Sequence, residues 1–472
     1  MADPQGVAEV VAEVREGTYG AKVGAVEPGG AEFVPLSDRH GKPIGLFATW
    51  MSPNLEFATV FLGVIAVAFL GLSIWQALLA AIVGFGLSSF FHGVLSARGP
   101  KMGVPQMIQS RIPFGYRGNI LPAGINAIIA GIGWFAVNSV SGALALATLT
   151  GLSSQITLLI VVALQILVAY YGHNFLQRFE RIAFPFLAIA FILAFIWVVP
   201  NADPSAAGGD GGIGAWLIVM AIFFGYGAGW NPFASDYTRY LPASVSAKAT
   251  GWWAGLGVFV SCTLLAFLGM LTATLAWPDG ASPTDVFTAP MPGFVAALVL
   301  LAIAIGSISA NAINLYSGAM SLLTLGITWG AQARRVVSVV GFGILGTIVA
   351  YLGLSDISKY ENFLLVIAYW IGPWLGVVFM DMILRRTHKV EGFMFDHKHN
   401  PWGGFLAMLL GMVLSIWLFS NQAQYVGLVP AANGNFGDIA FEVGFVISAV
   451  LYAIFFKMQK ERSDETLKIP GA

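Results

Sequence analysis

Tyr226, Trp230 and Asn231 sit where a membrane helix should simply run on. An apolar run from Trp216 to Phe224 leads into Gly225-Tyr-Gly-Ala-Gly-Trp-Asn-Pro232, where three glycines and a proline fall within eight residues. In hydrocarbon every backbone N–H and C=O needs a partner, so a broken helix persists only where protein or a wet cavity supplies one. Aromatic rings and an amide inside such a break point to a ligand site. A second interruption, Trp50-Met-Ser-Pro-Asn-Leu-Glu56, also precedes an unbroken apolar run. Pro53 removes a backbone donor and crowds the preceding turn, and Asn54 and Glu56 would be costly facing lipid. The alternative there is a helix that starts at Pro53, a position proline tolerates. Other polar groups punctuate apolar runs. Trp134 and Asn138 are four residues apart and share a helical face. Asn311 and Asn314 lie one turn apart, after Ser307 and Ser309. No Ser/His/Asp or paired-carboxylate arrangement points to an enzyme.

The elements that must hold these residues are membrane helices. Hydrophobic residues make up 57% of the 472 and charged ones 10%, against about 25% charged in soluble domains. Apolar runs at 44–72, 75–95, 119–149, 156–171, 182–199, from 215, 250–277, 293–325, 336–354, 360–383, 402–419 and 439–458 predict twelve spans of about 20 residues. Residues 1–43 and 459–472 read as flexible cytoplasmic tails around a transmembrane unit at 44–458. With the N-terminus inside, every Lys and Arg of the chain except Lys359 falls on the cytoplasmic side, as the positive-inside rule requires. The expected location is the cell membrane, with both termini cytoplasmic. A net charge of −1 argues against nucleic acid as a partner, and no protein partner is evident. The single cysteine, Cys262, excludes an intrachain disulfide and a cysteine-built metal site. No phosphate-binding loop motif occurs, and no cofactor is expected beyond a coupling ion. The two interruptions fall in the first and sixth spans, which is what two five-span repeats would give. Such a matched pair is the best sequence pointer to a transporter's midplane site.

The run Trp230-Asn-Pro-Phe-Ala-Ser-Asp-Tyr-Thr-Arg-Tyr-Leu-Pro242 resembles the signature of the purine/cytosine permease branch of the nucleobase:cation symporter-1 family. Asn311-Ala-Ile-Asn-Leu-Tyr-Ser317 resembles the same branch's Asn-rich motif. The resemblance implies an all-α fold with a five-plus-five inverted repeat, shared with sodium-coupled amino-acid transporters, and two extra C-terminal helices. It implies cation-coupled uptake of a nucleobase, or of a related heterocycle or ureide such as allantoin, hydantoin, uracil or a vitamin precursor. A channel or receptor on the same bundle is the rival class.

A flat heterocycle needs aromatic faces to stack on, worth about 1–3 kcal/mol each, and amides to read its edge. The resemblance assigns these roles to Trp134 and Asn138, to Gly229 and Trp230, and to one of Asn311 and Asn314. Asn54 and Tyr226 are further candidates. Ile313 stands where the branch often has proline, which leaves the local helix geometry and the substrate preference open. Related symporters bind Na⁺ between the first span's carbonyls and the eighth span's hydroxyls, which points to Ser309 and then Ser307. The rival reading is proton coupling at Glu56. Asp236 and Arg239, three residues apart past the sixth break, read as an inner latch or a helix-end ion pair.

Overall fold

The computed structural model describes residues 8–15, 19–25, 27, 30–205, 208–277, 282–326, 331–353, 358–459 and 465–469. Among these, nine helices are long and apolar enough to cross a membrane, and a bent pair makes a tenth candidate. Two shorter apolar helices, Val339–Leu352 and Gly403–Phe419, fall where the sequence predicts the ninth and eleventh spans. Large apolar side chains such as Leu159, Ile182, Ile189 and Leu352 remain mostly exposed. Patches of that kind mark a surface solvated by lipid, not water.

Gly45–Met51 and Phe57–Val64 are the two halves of the first span, joined by a 3-10 turn at Ser52–Asn54 and bent by 62°. Helix precedes Pro53, so the reading in which the span starts there is wrong. Glu56 is extended and caps the second half, its carboxylate accepting from the Ala58 N–H at 2.9 Å. That half packs on the helix Ala247–Thr272 through Gly63 and Gly269. A Cβ on either glycine would lie within 2 Å of a carbonyl oxygen of the other helix. Close backbone approach of this sort is how membrane helices gain dispersion contact without a hydrophobic drive between them.

The sixth segment departs from expectation. The helix Gly212–Ala228 runs through Gly225 and Gly227, and only a short 3-10 turn at Asn231–Phe233 separates it from Ala234–Thr238. The whole of Gly212–Thr238 qualifies as one span. Its glycines serve packing rather than unwinding. A Cβ at Gly225 would meet the Leu364 carbonyl at 2.4 Å, and one at Gly227 would meet Ser88 Oγ at 2.2 Å. Pro232, which has no N–H to close on Ala228, accounts for the turn.

The tails are not loose where described. β1 (Ala8–Val11) pairs in parallel with β2 (Glu465–Lys468), so the two chain ends meet at one end of the bundle. Arg15, Tyr19, Glu27 and Asp38 are all buried there. Hydropathy missed this because the segment is held by polar contacts: Arg15 Nη2 reaches Asp38 at 2.6 Å, and Asn174 donates to the Gly20 and Lys22 carbonyls. Burial pushes the Asp38 carboxyl up. The Arg15 guanidinium and the Gly20 and Tyr19 N–H groups outweigh it, leaving the carboxyl below its ordinary value. A depressed carboxyl stabilises above its ordinary value and loses that contribution as pH falls through the lowered one. Protease cleavage of the N-terminal segment is therefore expected to be slow at neutral pH and to accelerate in acid. Asp38→Asn should show fast cleavage already at neutral pH.

Candidate substrate site

The third helix, Ile120–Thr150, is one continuous span, but its hydrogen-bond ladder widens to a π-turn over Ile129–Trp134. Such bulges recur at functional positions. This one sets Trp134 at the end of the widened turn and Asn138 one regular turn later, both buried. The Trp134 ring meets Tyr226 and Phe363 edge-on, each with centroids 5.3 Å apart. Gly229 lies against the same indole, where an added Cβ would come within 3.0 Å of Nε1. A larger residue at this position would have to push the indole aside by a few tenths of an ångström.

Trp230 follows directly. Its Nε1 donates to Asn54 Oδ1 at 2.9 Å, and Asn54 Nδ2 donates back to the Trp50 carbonyl at 2.8 Å. The first break thus fixes the orientation of the sixth segment's tryptophan. Trp50, fully buried, lies edge-on to Trp230, Tyr237 and His92. Tyr226 is also tied to the first span: its hydroxyl lies 2.5 Å from Thr59 Oγ1 and 3.5 Å from Glu56 Oε1.

The two eighth-span asparagines divide their roles. Asn311 is saturated: Nδ2 donates to the Phe135 carbonyl and Ser139 Oγ, while Oδ1 accepts from Asn138 at 3.1 Å and Asn314 at 3.3 Å. Ser139 is anchored in turn on Gln165. Asn314 Oδ1 is buried with no hydrogen-bond partner. Asn311 is the hub, and Asn314 and Asn138 are the amides it positions. Ile313 is buried within an unbroken helix, Gly293–Leu323, so the absence of proline leaves this span straight in pattern.

The ion candidates separate. Ser307 Oγ donates back to the Ala304 carbonyl at 2.8 Å and faces Gly142 of the third helix. Ser309 Oγ does face the break, 3.5 Å from Ser52 Oγ, but it donates to Glu180 Oε2 at 2.7 Å. Glu56 is fully buried and holds Ser141 Oγ at 3.0 Å. Among the described residues it pairs with no base.

Asp236 and Arg239 do not form an ion pair with each other. Asp236 Oδ1 accepts from the Gln106 N–H, whereas Arg239 reaches the Asp236 backbone carbonyl, the Gly30 carbonyl, Tyr316 Oη at 3.1 Å and Glu27 Oε1 at 3.6 Å. Its carboxylate partner comes from the N-terminal segment. The i,i+3 spacing would allow the pair, but the Arg239 fork is taken up by the N-terminal segment and by Tyr316 of the eighth span.

Sequence reasoning missed Glu180. Flanking Arg178 and Arg181 made it look like loop charge, yet the helix begins at His173. Leu176, Glu180, Ala183 and Leu187 share its buried face while both arginines are exposed. The 3–4 residue spacing was the available signal.

A helical bundle whose broken first span meets the third, sixth and eighth helices around paired indoles and an amide cluster defines a multi-pass membrane transporter, not an enzyme. Residues 33–444 match the family of permeases for cytosine and purines, uracil, thiamine and allantoin. The chain belongs to the nucleobase:cation symporter-1 family, in its purine/cytosine permease branch. It is 29% identical over 442 residues to the putative purine-cytosine permease YxlA of Bacillus subtilis, covering 90% of this chain and 95% of that one. It is 26% identical to the purine-cytosine permease fcyB of Emericella nidulans, covering 90% and 87%. Among solved structures, it shares the fold of Mhp1, a nucleobase-cation-symport-1 family transporter held closed with bromovinylhydantoin bound. That similarity has a TM-score of 0.73 at 18% identity, covering 92% of this chain and 95% of Mhp1.

Proposed function

We propose that this chain is a cation-coupled symporter that imports a nucleobase, cytosine or a purine, by alternating access. In this reading twelve spans form a five-plus-five inverted repeat with two extra C-terminal helices, and both termini are cytoplasmic. The base lies between Trp134 and Trp230, with Gly229 giving its edge access to the main chain. Asn138 and Asn314 read its donors and acceptors, and Asn54 and Tyr226 hold the two rings in place. The observation that carries the reading is the amide cluster: a saturated Asn311 accepts from Asn314 Nδ2 and leaves the buried Asn314 oxygen without a partner. An unpaired buried acceptor costs about 1–3 kcal/mol, which a substrate N–H would recover. The purine-cytosine permeases among the relatives support the same substrate class, and the Na⁺-coupled sialic acid symporter of related fold supports an ion-driven cycle. A hydantoin permease among the relatives keeps a related heterocycle as the second reading.

Radiolabelled cytosine, adenine, hypoxanthine, uracil and allantoin offered to a permease-deficient strain test this directly. Expected is saturable, concentrative uptake of cytosine or a purine. Accumulation of none of the five, in sodium or at acid pH, would end the reading. Selective uptake of allantoin would favour the second.

A further inference from the structure

The second span, Ile74–Ser96, lies along the sixth segment. Ser88, His92 and Ser96 follow one another at four-residue steps and share the face it presents there. Ser88 Oγ sits where a Cβ on Gly227 would fall, and Ser96 Oγ donates to the Ala234 carbonyl at 3.4 Å. His92, between them, faces the Trp230 backbone and the Asn231 amide. Its main chain has little freedom, because Gly93 abuts the helix Ala247–Thr272. A Cβ on Gly93 would meet the Gly251 carbonyl oxygen at 2.7 Å. The imidazole stands edge-on to Trp50 with centroids 4.2 Å apart, and the Trp50 and Trp230 centroids are 6.0 Å apart. His92, Trp50 and Asn231 are all fully buried. Among the described residues, Trp50 Nε1, both His92 nitrogens and both polar atoms of the Asn231 side chain have no hydrogen-bond partner.

Buried polar groups are ordinarily paired, and unpaired ones cost stability. Three such side chains from three elements, gathered at one place, point to bonds that form in another state of the protein. Their chemistry is complementary. An indole N–H only donates, a neutral imidazole donates at one nitrogen and accepts at the other, and a carboxamide oxygen accepts. We propose that His92 is a positioning residue for the substrate. Once a base stacks on Trp230, the imidazole accepts from Trp50 Nε1 and donates to Asn231 Oδ1, and this relay holds the Trp230 ring against the base. The proposal rests on the symport reading above, in which Trp230 is a stacking face. Asn231 directly follows Trp230 and opens the 3-10 turn Asn231–Phe233, so a shift of the indole carries the amide with it. Trp50 belongs to the other break, whose Asn54 already holds Trp230 Nε1. The relay adds a second tie between the two interrupted spans, anchored on a helix whose own backbone is pinned.

Two measurements on the purified full chain test the relay: equilibrium binding of labelled cytosine, adenine, hypoxanthine, uracil and allantoin, and thermal unfolding without any of them. His92→Leu, close in volume but apolar, is expected to weaken binding about ten-fold, as the loss of one or two neutral hydrogen bonds would. His92→Gln keeps a donor and an acceptor and should recover most of the affinity. Asn231→Leu should lose about as much as His92→Leu, and the double variant no more than either, because both break one chain of bonds. Since these atoms are unpaired without a base, His92→Leu and the double variant should melt no lower than wild type. A histidine that only packs would give the reverse, a lower melting temperature with affinity kept. Unchanged affinity in His92→Leu, or losses that add in the double variant, overturns the proposal. Binding of none of the five compounds to wild type would overturn the substrate reading. The relay would then stand if the double variant melts no lower than wild type, and fall if it melts lower.

Discussion

Trp134→Ala is expected to weaken base binding by about 5- to 150-fold while leaving the protein in the membrane. The magnitude follows from a lost stacking face of about 1–3 kcal/mol, at 1.4 kcal/mol per ten-fold. Two further losses push towards the upper end. The Tyr226 and Phe363 rings would lose the edge they pack against, and Gly229 would face a void where the indole now lies. Trp134→Phe keeps an aromatic face and should recover most of the affinity. Asn138→Ala removes a donor to Asn311 as well as an edge reader, so it should narrow the discrimination between bases more than Trp134→Phe does. Equilibrium binding of labelled cytosine or adenine to purified variants is the measurement. Unchanged affinity in Trp134→Ala would remove Trp134 from the site.

What the sequence made legible follows from how each signal arises. The first break was readable because Pro53, Asn54 and Glu56 violate a membrane helix in three independent ways, and the chain does bend there by 62°. The sixth was overread. Gly225 and Gly227 are as consistent with close helix packing as with unwinding, and composition cannot tell a groove from a gap. Helical spacing put Trp134 and Asn138 on one face of the third span, but the division between Asn311 and Asn314 was not legible. It depends on which amide the third helix's Phe135 carbonyl and Ser139 reach, and that is a matter of tertiary register. The N-terminal segment was misread as loose because its attachments are charged and tyrosyl groups, which lower a hydropathy average whether they are solvated or buried. Glu180 was hidden by the same weighting, since its two neighbouring arginines dominate any window.

That N-terminal segment carries the second large effect. Glu27 receives Arg15 and Arg239 together with the hydroxyls of Tyr240 and Tyr316, and its other oxygen accepts from the His173 N–H. Five contacts from four stretches of chain converge on one carboxylate that water does not reach. Arg239 lies just beyond the sixth helix's turn and Tyr316 on the eighth, two residues after Asn314. The cluster therefore joins the N-terminal segment to the end of the bundle that must part if a base leaves on this side. Removing one partner of a buried pair costs about 3–5 kcal/mol, because the remaining charge stays buried. Arg239→Ala leaves Glu27 with Arg15 as its remaining partner, and is expected to destabilise the closed arrangement by up to about 3 kcal/mol. Single-cysteine probes at Gly30 or Ser317, introduced with Cys262 replaced by Ala, should then react with a thiol reagent applied from that side many-fold faster than in the Arg239 parent. Glu27→Gln leaves Arg239 buried without its carboxylate partner and should open the same face at least as far. Equal reactivity in Arg239→Ala and its parent would make this cluster structural ballast instead of a latch. Slower reactivity in Glu27→Gln than in Arg239→Ala would show that hydrogen bonds to this side chain, not its charge, hold the face shut.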